Sequence, residues 1–169
     1  MPATEPVDEI QLTAGTTLEW PEVFERLGAS GTYWLATTHA DGRPHVVPVL
    51  AVATDGMLHI AMGPTTRKAR NLARDPRCVV TAQAPALDLV VEGVAERVTD
   101  ALRLGRAATA YGAKYGWQVT VEGEALTGAD GAPTAGPPPY DLYAVRPSTV
   151  FAFSADGSAA ATRWRFDGA

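Results

Sequence analysis

The sequence predicts a mainly β fold of the α+β class: a small antiparallel β-barrel with a few peripheral helices. Three observations predict it. Six or seven runs rich in β-branched and aromatic residues follow one another along the chain. Asp-Gly turn signals stand at Asp41-Gly42 and Asp55-Gly56, between the early runs. Only three short stretches carry apolar residues at helical spacing. Many short strands with few helices bury their apolar faces best by curling into a barrel.

Residues 1–16 hold Pro, Thr, Glu and Gly with little apolar content and read as a flexible N-terminal tail. Residues 17–169 read as one domain. Trp20-Pro21 to Leu27 is a short helix with Pro in its first turn and Gly28 beyond its end. Thr32 to Thr38, His45 to Val52 and Met57 to Met62 form an antiparallel meander through the two Asp-Gly turns. Pro48 cannot donate to a sheet ladder, so it implies an edge, a bulge or a backbone face left for something else. Gly63-Pro64 stops the third strand. A helix follows from Thr65 to Arg74, ended by Asp75-Pro76. Cys78 to Ala82 and Leu87 to Val98 are strands. Thr99 or Asp100 caps the next helix, with Leu104, Ala108, Tyr111 and Tyr115 on one face. The insertion over 112–139 ends in Pro137-Pro138-Pro139 and reads as a lid or a surface loop. Tyr140 to Phe153 is the last long strand.

Composition sets limits on function. The chain has 169 residues and a net charge of -5. That acidity speaks against non-specific nucleic-acid binding. One cysteine, Cys78, excludes an intrachain disulfide and any Cys-based metal cluster. No apolar run approaches the ~18 residues that span a bilayer, and the acidic N-terminus lacks an apolar signal core. The expected location is the cytoplasm, with neither membrane nor nucleic acid as partner.

The stretch Thr65-Thr66-Arg67-Lys68 carries the clearest chemistry. A Thr pair supplies capping hydroxyls at a helix start, where free N–H groups and the positive dipole end gather. Arg67 and Lys68 add charge, so the stretch suits a phosphate. The same features also fit a capped surface helix with a solvated cationic face. Elsewhere the chain is poor in catalytic constellations. His39, His45 and His59 lack metal-ligand spacing, so no metal is expected. No Gly-x-Ser-x-Gly elbow or Walker loop occurs. A phosphate site on a strand-rich scaffold without an acid–base pair suits a protein whose chemistry belongs to a phosphorylated cofactor.

Three segments resemble the pyridoxamine phosphate oxidase-like split β-barrels that bind flavins and deazaflavins. They are Trp34-Leu35-Ala36-Thr37, Asp41 to Val49, and Thr66 to Arg77, extended by Asp88 to Ala95. The resemblance implies a split barrel and a homodimer with cofactor at the interface. It implies that Arg67 and Lys68 hold the phosphate, with Thr66 at a matching hydroxyl. The backbone of Val47, Pro48, Val49 and Leu50 would lie along the ring, with Ala61 and Met62 beside it. Asp88 would reach the ring from the other subunit, and Trp164 and Arg165 would close the site. His45 is expected at the pocket mouth or as a solvent-facing strand-end residue. Family members that oxidise pyridoxamine phosphate carry Arg where this chain has Val47. They also carry a C-terminal substrate-binding segment not found here. The expected function is therefore an oxidoreductase using FMN, or alternatively a deazaflavin coenzyme, on a small organic substrate. NADPH or NADH is the expected reductant. Arg43, Arg70, Arg74 and Arg77 would line a groove for a deazaflavin's polyanionic tail. The alternative is a non-catalytic module that binds a flavin or haem, with His39, His45 or His59 as haem ligand.

Overall fold

The computed structural model describes residues 4–15, 17–129, 131 and 136–167. Residues 1–3 and 16 of the expected tail, and 130 and 132–135 of the insertion, lie outside the described residues. The strands are β1 (Asp8–Gln11), β2 (Tyr33–Thr38), β3 (Pro44–Val49), β4 (Ala51–Thr54), β5 (Met57–Met62), β6 (Arg77–Ala84), β7 (Leu87–Val98), β8 (Thr120–Glu122), β9 (Ala125–Thr127), β10 (Asp141–Ser154) and β11 (Ala161–Arg165). The helices are α1 (Trp20–Ala29), α2 (Arg67–Arg74) and α3 (Ala101–Tyr115). The fold is the split antiparallel barrel that the sequence predicts.

The long strand β10 is its spine. It pairs with β7 along its length, with β5 over Asp141 to Val145, and with β11 over Thr149 to Phe153. The barrel opens where β10 leaves β5 and takes up β11. The register against β7 slips there, between Pro147 and Thr149. Gly93 permits the slip: a Cβ at that position would lie 2.2 Å from the Arg146 carbonyl oxygen, closer than any side chain tolerates. The sheet runs β1-β11-β10-β7-β6-β2-β3, with β5 and β4 branching from β10.

Two departures from the sequence reading matter. His45 to Val52 is not one strand. It breaks at Leu50, so β3 pairs with β2 while β4 pairs with β5. Pro48 thus sits on an edge strand, where its missing N–H leaves no central ladder unsatisfied. The expected tail also contributes structure: β1 pairs with β11, Asp8 opposite Arg165 and Gln11 opposite Thr162.

The main core fills the space between α1 and the inner sheet face. Trp20, Leu35, Ile60, Val80, Leu89 and Trp164 belong to it, and the Trp20 and Trp164 rings lie 5.7 Å apart. A second core joins α3 to the insertion. Trp117 stands edge-on to Tyr111 and Tyr140, each at 5.1 Å, and its indole N–H donates to the Gly131 carbonyl at 2.8 Å. The described part of the insertion is therefore a packed hairpin, β8-β9, rather than a free loop.

His59 lies between the two cores with no exposed surface. Its Nδ1 is 3.0 Å from the Thr54 hydroxyl, and its Nε2 has no partner among the described residues. A ring so enclosed offers no face to haem. Burial first, then the charge of Arg103, push its pKa down from 6.5 to about 4. Between those values the unfolded chain holds a proton that the folded chain does not. Stability should therefore fall as pH drops from 6.5 to about 4, by about 3 kcal/mol from this group. Urea melts across that window check this. His59→Leu should flatten the slope, and an unchanged slope would contradict the assignment.

Candidate functional site

The site is built around the start of α2. Gly63-Pro64 ends β5 and turns the chain. Thr66 then caps the helix: its hydroxyl accepts from the Ala69 N–H at 3.4 Å and donates to the Gly63 carbonyl at 2.8 Å. Ala69 and Leu72 are buried and seat α2 against the barrel. Asn71 is buried with them, although it is polar. Its amide donates to the Thr37 hydroxyl at 3.0 Å, and that hydroxyl lies 3.4 Å from His45 Nδ1. Arg74 reaches back to donate to the carbonyls of Thr38 and His39, at 2.6 and 2.9 Å. These bonds lock α2 across β2 onto the His45 end of β3.

The result is an electropositive corner. Arg67 is exposed and Lys68 half-buried. Neither has a hydrogen-bond or ion-pair partner among the described residues. Burial pulls the Lys68 pKa below its usual value. The His45 pKa is lowered too, first by burial and then by the charges of His39, Lys68 and Arg67. His39 packs edge-on against His45 at 5.2 Å. A half-buried ammonium beside a helix N-terminus, without a carboxylate, is unfavourable until an anion arrives. Of the 14 basic residues only Lys68 and Lys114 are lysines, and both have pKa values lowered by burial.

The structure brings Thr65, Thr66, Arg67 and Lys68 together at one helix start and His45 within their electrostatic reach. Val47, Pro48 and Val49 follow on the same edge strand, with Val46 and Pro48 outward and Val49 buried. Leu50 and Ala61 are half-buried and share one partner, the Tyr111 hydroxyl. Met62 is fully buried, backbone included. Asp88 does not join this cluster within one chain. It lies exposed at the far end of β6 and β7, accepting from Gln83 at 3.1 Å.

Trp164 departs most from expectation. It is fully buried in the main core, and its indole N–H donates to Glu9 Oε2 at 2.8 Å. Trp20 covers its ring, so the side chain closes a core rather than a ligand site. Arg165, its exposed neighbour, pairs with Asp8 and Thr149 on a strand separated from β3 by β10, β7, β6 and β2. Sequence reasoning missed Thr37 and Asn71, and assigned Arg74 to a ligand groove rather than to the Thr38 and His39 carbonyls. A buried Asn on the apolar face of a short cationic helix was the available signal.

The electrostatic coupling is testable without any ligand. In Lys68→Met the His45 pKa should rise toward its ordinary value, followed through the imidazole NMR signals. An unmoved titration would show that Lys68 does not face His45.

The wider comparisons bear on the fold and the family. No curated protein matches the sequence. Among solved structures, a heme binding protein from Mycobacterium smegmatis is 20% identical with TM-score 0.64, over 84% of this chain and 57% of that one. An FAD-binding protein from Mesorhizobium loti is 19% identical with TM-score 0.58, over 92% and 96% of the two chains. A pyridoxamine 5'-phosphate oxidase-related, FMN binding protein from Nostoc punctiforme is 16% identical with TM-score 0.57, over 86% and 90%. Likenesses at these identities establish the fold. A sequence model described as pyridoxamine 5'-phosphate oxidase matches residues 20–154, spanning both the α2 corner and β3: the chain belongs to the pyridoxamine 5'-phosphate oxidase family.

Proposed function

We propose that this chain is a flavoprotein that holds FMN at the start of α2 and along β3. It would act as an oxidoreductase, moving hydride to or from a small organic substrate, with NADPH or NADH as reductant. The observation that carries the reading is the pair Arg67 and Lys68, lacking counter-charge at a capped helix start. A phosphate monoester there would receive charge-assisted bonds from both side chains and the free N–H groups of α2. The edge strand β3 would offer its backbone to the ring, with Pro48 keeping one position free of an N–H. When bound, the flavin supplies the redox chemistry. The chain's part is to bind it, orient it and exclude water, with His45 near the phosphate.

The cation inventory favours FMN over a deazaflavin with a polyanionic tail. Of the four arginines expected to line a groove, Arg43 is paired with Asp41 and Arg77 with Asp75, each at 2.8 Å. Arg74 is spent on two carbonyls. Arg70 alone of the four lacks a partner among the described residues. Val47, where pyridoxamine phosphate oxidases carry Arg, supports a substrate other than pyridoxamine phosphate.

A homodimer belongs to the same reading. Trp34 and Val46 are 48% and 54% exposed on the outer face of β2 and β3. Val79, Val90 and Val94 continue that apolar face across β6 and β7, half-exposed. A second copy seated there would cover them, and only across such an interface could Asp88 approach a ring held at α2. No helix among the described residues is long and apolar enough to cross a membrane; the cytoplasm remains the proposed location. The second reading is a non-catalytic module, favoured by the heme binding neighbour and the packed His39–His45 pair.

Fluorescence titration tests the assignment. Lys68→Ala should remove about 1.5–3 kcal/mol and weaken FMN binding roughly ten- to a hundredfold, with the circular dichroism of the fold intact. The same samples should show a dimer mass by light scattering. FMN affinity unchanged by the substitution would remove the phosphate site, and a monomer with FMN bound would remove the dimer.

A further inference from the structure

The break at Leu50 is held by one helix, α3. Tyr111, Lys114 and Tyr115 stand at i, i+3 and i+4 on α3, so they share a face. The Tyr111 ring is fully buried. Its hydroxyl accepts from the Ala61 N–H at 2.8 Å and lies 3.1 and 3.2 Å from the carbonyls of His59 and Leu50. The Tyr115 hydroxyl donates to the Ala51 carbonyl at 2.8 Å and accepts from the Ala51 N–H at 3.3 Å. Lys114 Nζ donates to the Ala51 carbonyl at 3.0 Å, to the Gly28 carbonyl at 2.7 Å and to the Tyr33 hydroxyl at 2.7 Å. Its ammonium lies 4.6 Å from the Tyr33 ring centre and 5.0 Å from that of Tyr115. Three side chains thus satisfy the backbone groups that the β3-to-β4 break takes out of the sheet ladder.

We infer that this α3 clasp positions the ligand strand, with the Tyr111 hydroxyl setting the spacing between Leu50 and Ala61. The inference rests on the proposed flavin reading for its ligand, because β3 ends at the break and Ala61 precedes α2. The clasp acts through backbone and touches no ligand, so Tyr111, Lys114 and Tyr115 are positioning residues. One hydroxyl bonded to both segments couples the edge that would meet the ring to the turn that presents Lys68.

The experiment compares Tyr111→Phe with Leu104→Ala, a cavity variant in the same helix and the same second core that makes no bond to the break. FMN affinity, the flavin absorbance band and the melting temperature are read for each. Tyr111→Phe should weaken FMN binding about tenfold and shift the bound flavin's band. Leu104→Ala should lower the melting temperature at least as much, with affinity and band unchanged. Equal affinity in wild type and Tyr111→Phe, or losses that track melting temperature in both variants, would overturn the inference. If Tyr111→Phe does not fold, Tyr115→Phe at its half-exposed position replaces it: it should weaken FMN binding and speed exchange at Ala51, and no change in either would overturn the inference. Amide hydrogen exchange separates the clasp from the flavin reading. Tyr111→Phe should speed exchange at Ala61 selectively in the chain without FMN, and unchanged exchange there overturns the clasp. A wild-type chain that binds no FMN while exchange at Ala61 responds contradicts the flavin reading alone.

Discussion

Positive charge gathered without a counter-charge is the constraint on which this site depends. Arg67, Lys68 and the N-terminal end of α2 converge beside His45, and no carboxylate among the described residues neutralises them. Several arginines elsewhere are ion-paired, Arg26 with Glu22, Arg43 with Asp41, Arg77 with Asp75, Arg106 with Asp55 and Arg146 with Glu96, whereas Arg70, Arg103, Arg163 and Arg165 have no ion-pair partner among the described residues. A net charge of -5 means that acidic residues were available. The unpaired corner therefore lowers the stability of the empty protein and favours an anion of the right size.

Holding that corner in place takes hydrogen bonds from several distant segments. Asn71, Thr37 and His45 link the helix to two strands, and Arg74 fastens its far end. On the other side of β3, the hydroxyls of α3 hold the chain at its break. The barrel splits where β10 changes partners over Gly93, and the break at Leu50 leaves β3 paired with β2 alone, as an edge strand. Rigid support behind a half-open edge is what a ring-shaped ligand needs, since ordering the edge at the moment of binding would reduce affinity.

The sequence carried what is decided locally. Asp41-Gly42 and Asp55-Gly56 set their turns, Thr66 capped its helix, and Pro48 marked an edge, because each acts through its own backbone or nearest neighbours. The break at Leu50 was not legible, because the hydroxyl that bonds its freed carbonyl lies 61 residues away in Tyr111. β1 was missed for a related reason: its four residues are all exposed, so no alternation betrays a strand whose pairing is purely backbone. Trp164 beside Arg165 looked like a ligand-facing pair, yet Trp20 and Glu9 claim its ring and its N–H. Of the expected site, the α2 start and His45 near the head of β3 were brought together. Asp88, Trp164 and Arg165 were not, since their positions depend on long-range pairing or on a second copy.

The most direct measurement of the central claim compares FMN with riboflavin on the wild-type chain. The two ligands share the ring and differ by the phosphate. If the unneutralised corner at Arg67 and Lys68 is the anchor, FMN should bind at least tenfold more tightly, as expected for a charge-assisted contact, and added salt should narrow the gap. Equal affinities for the two, or a gap indifferent to salt, would contradict it.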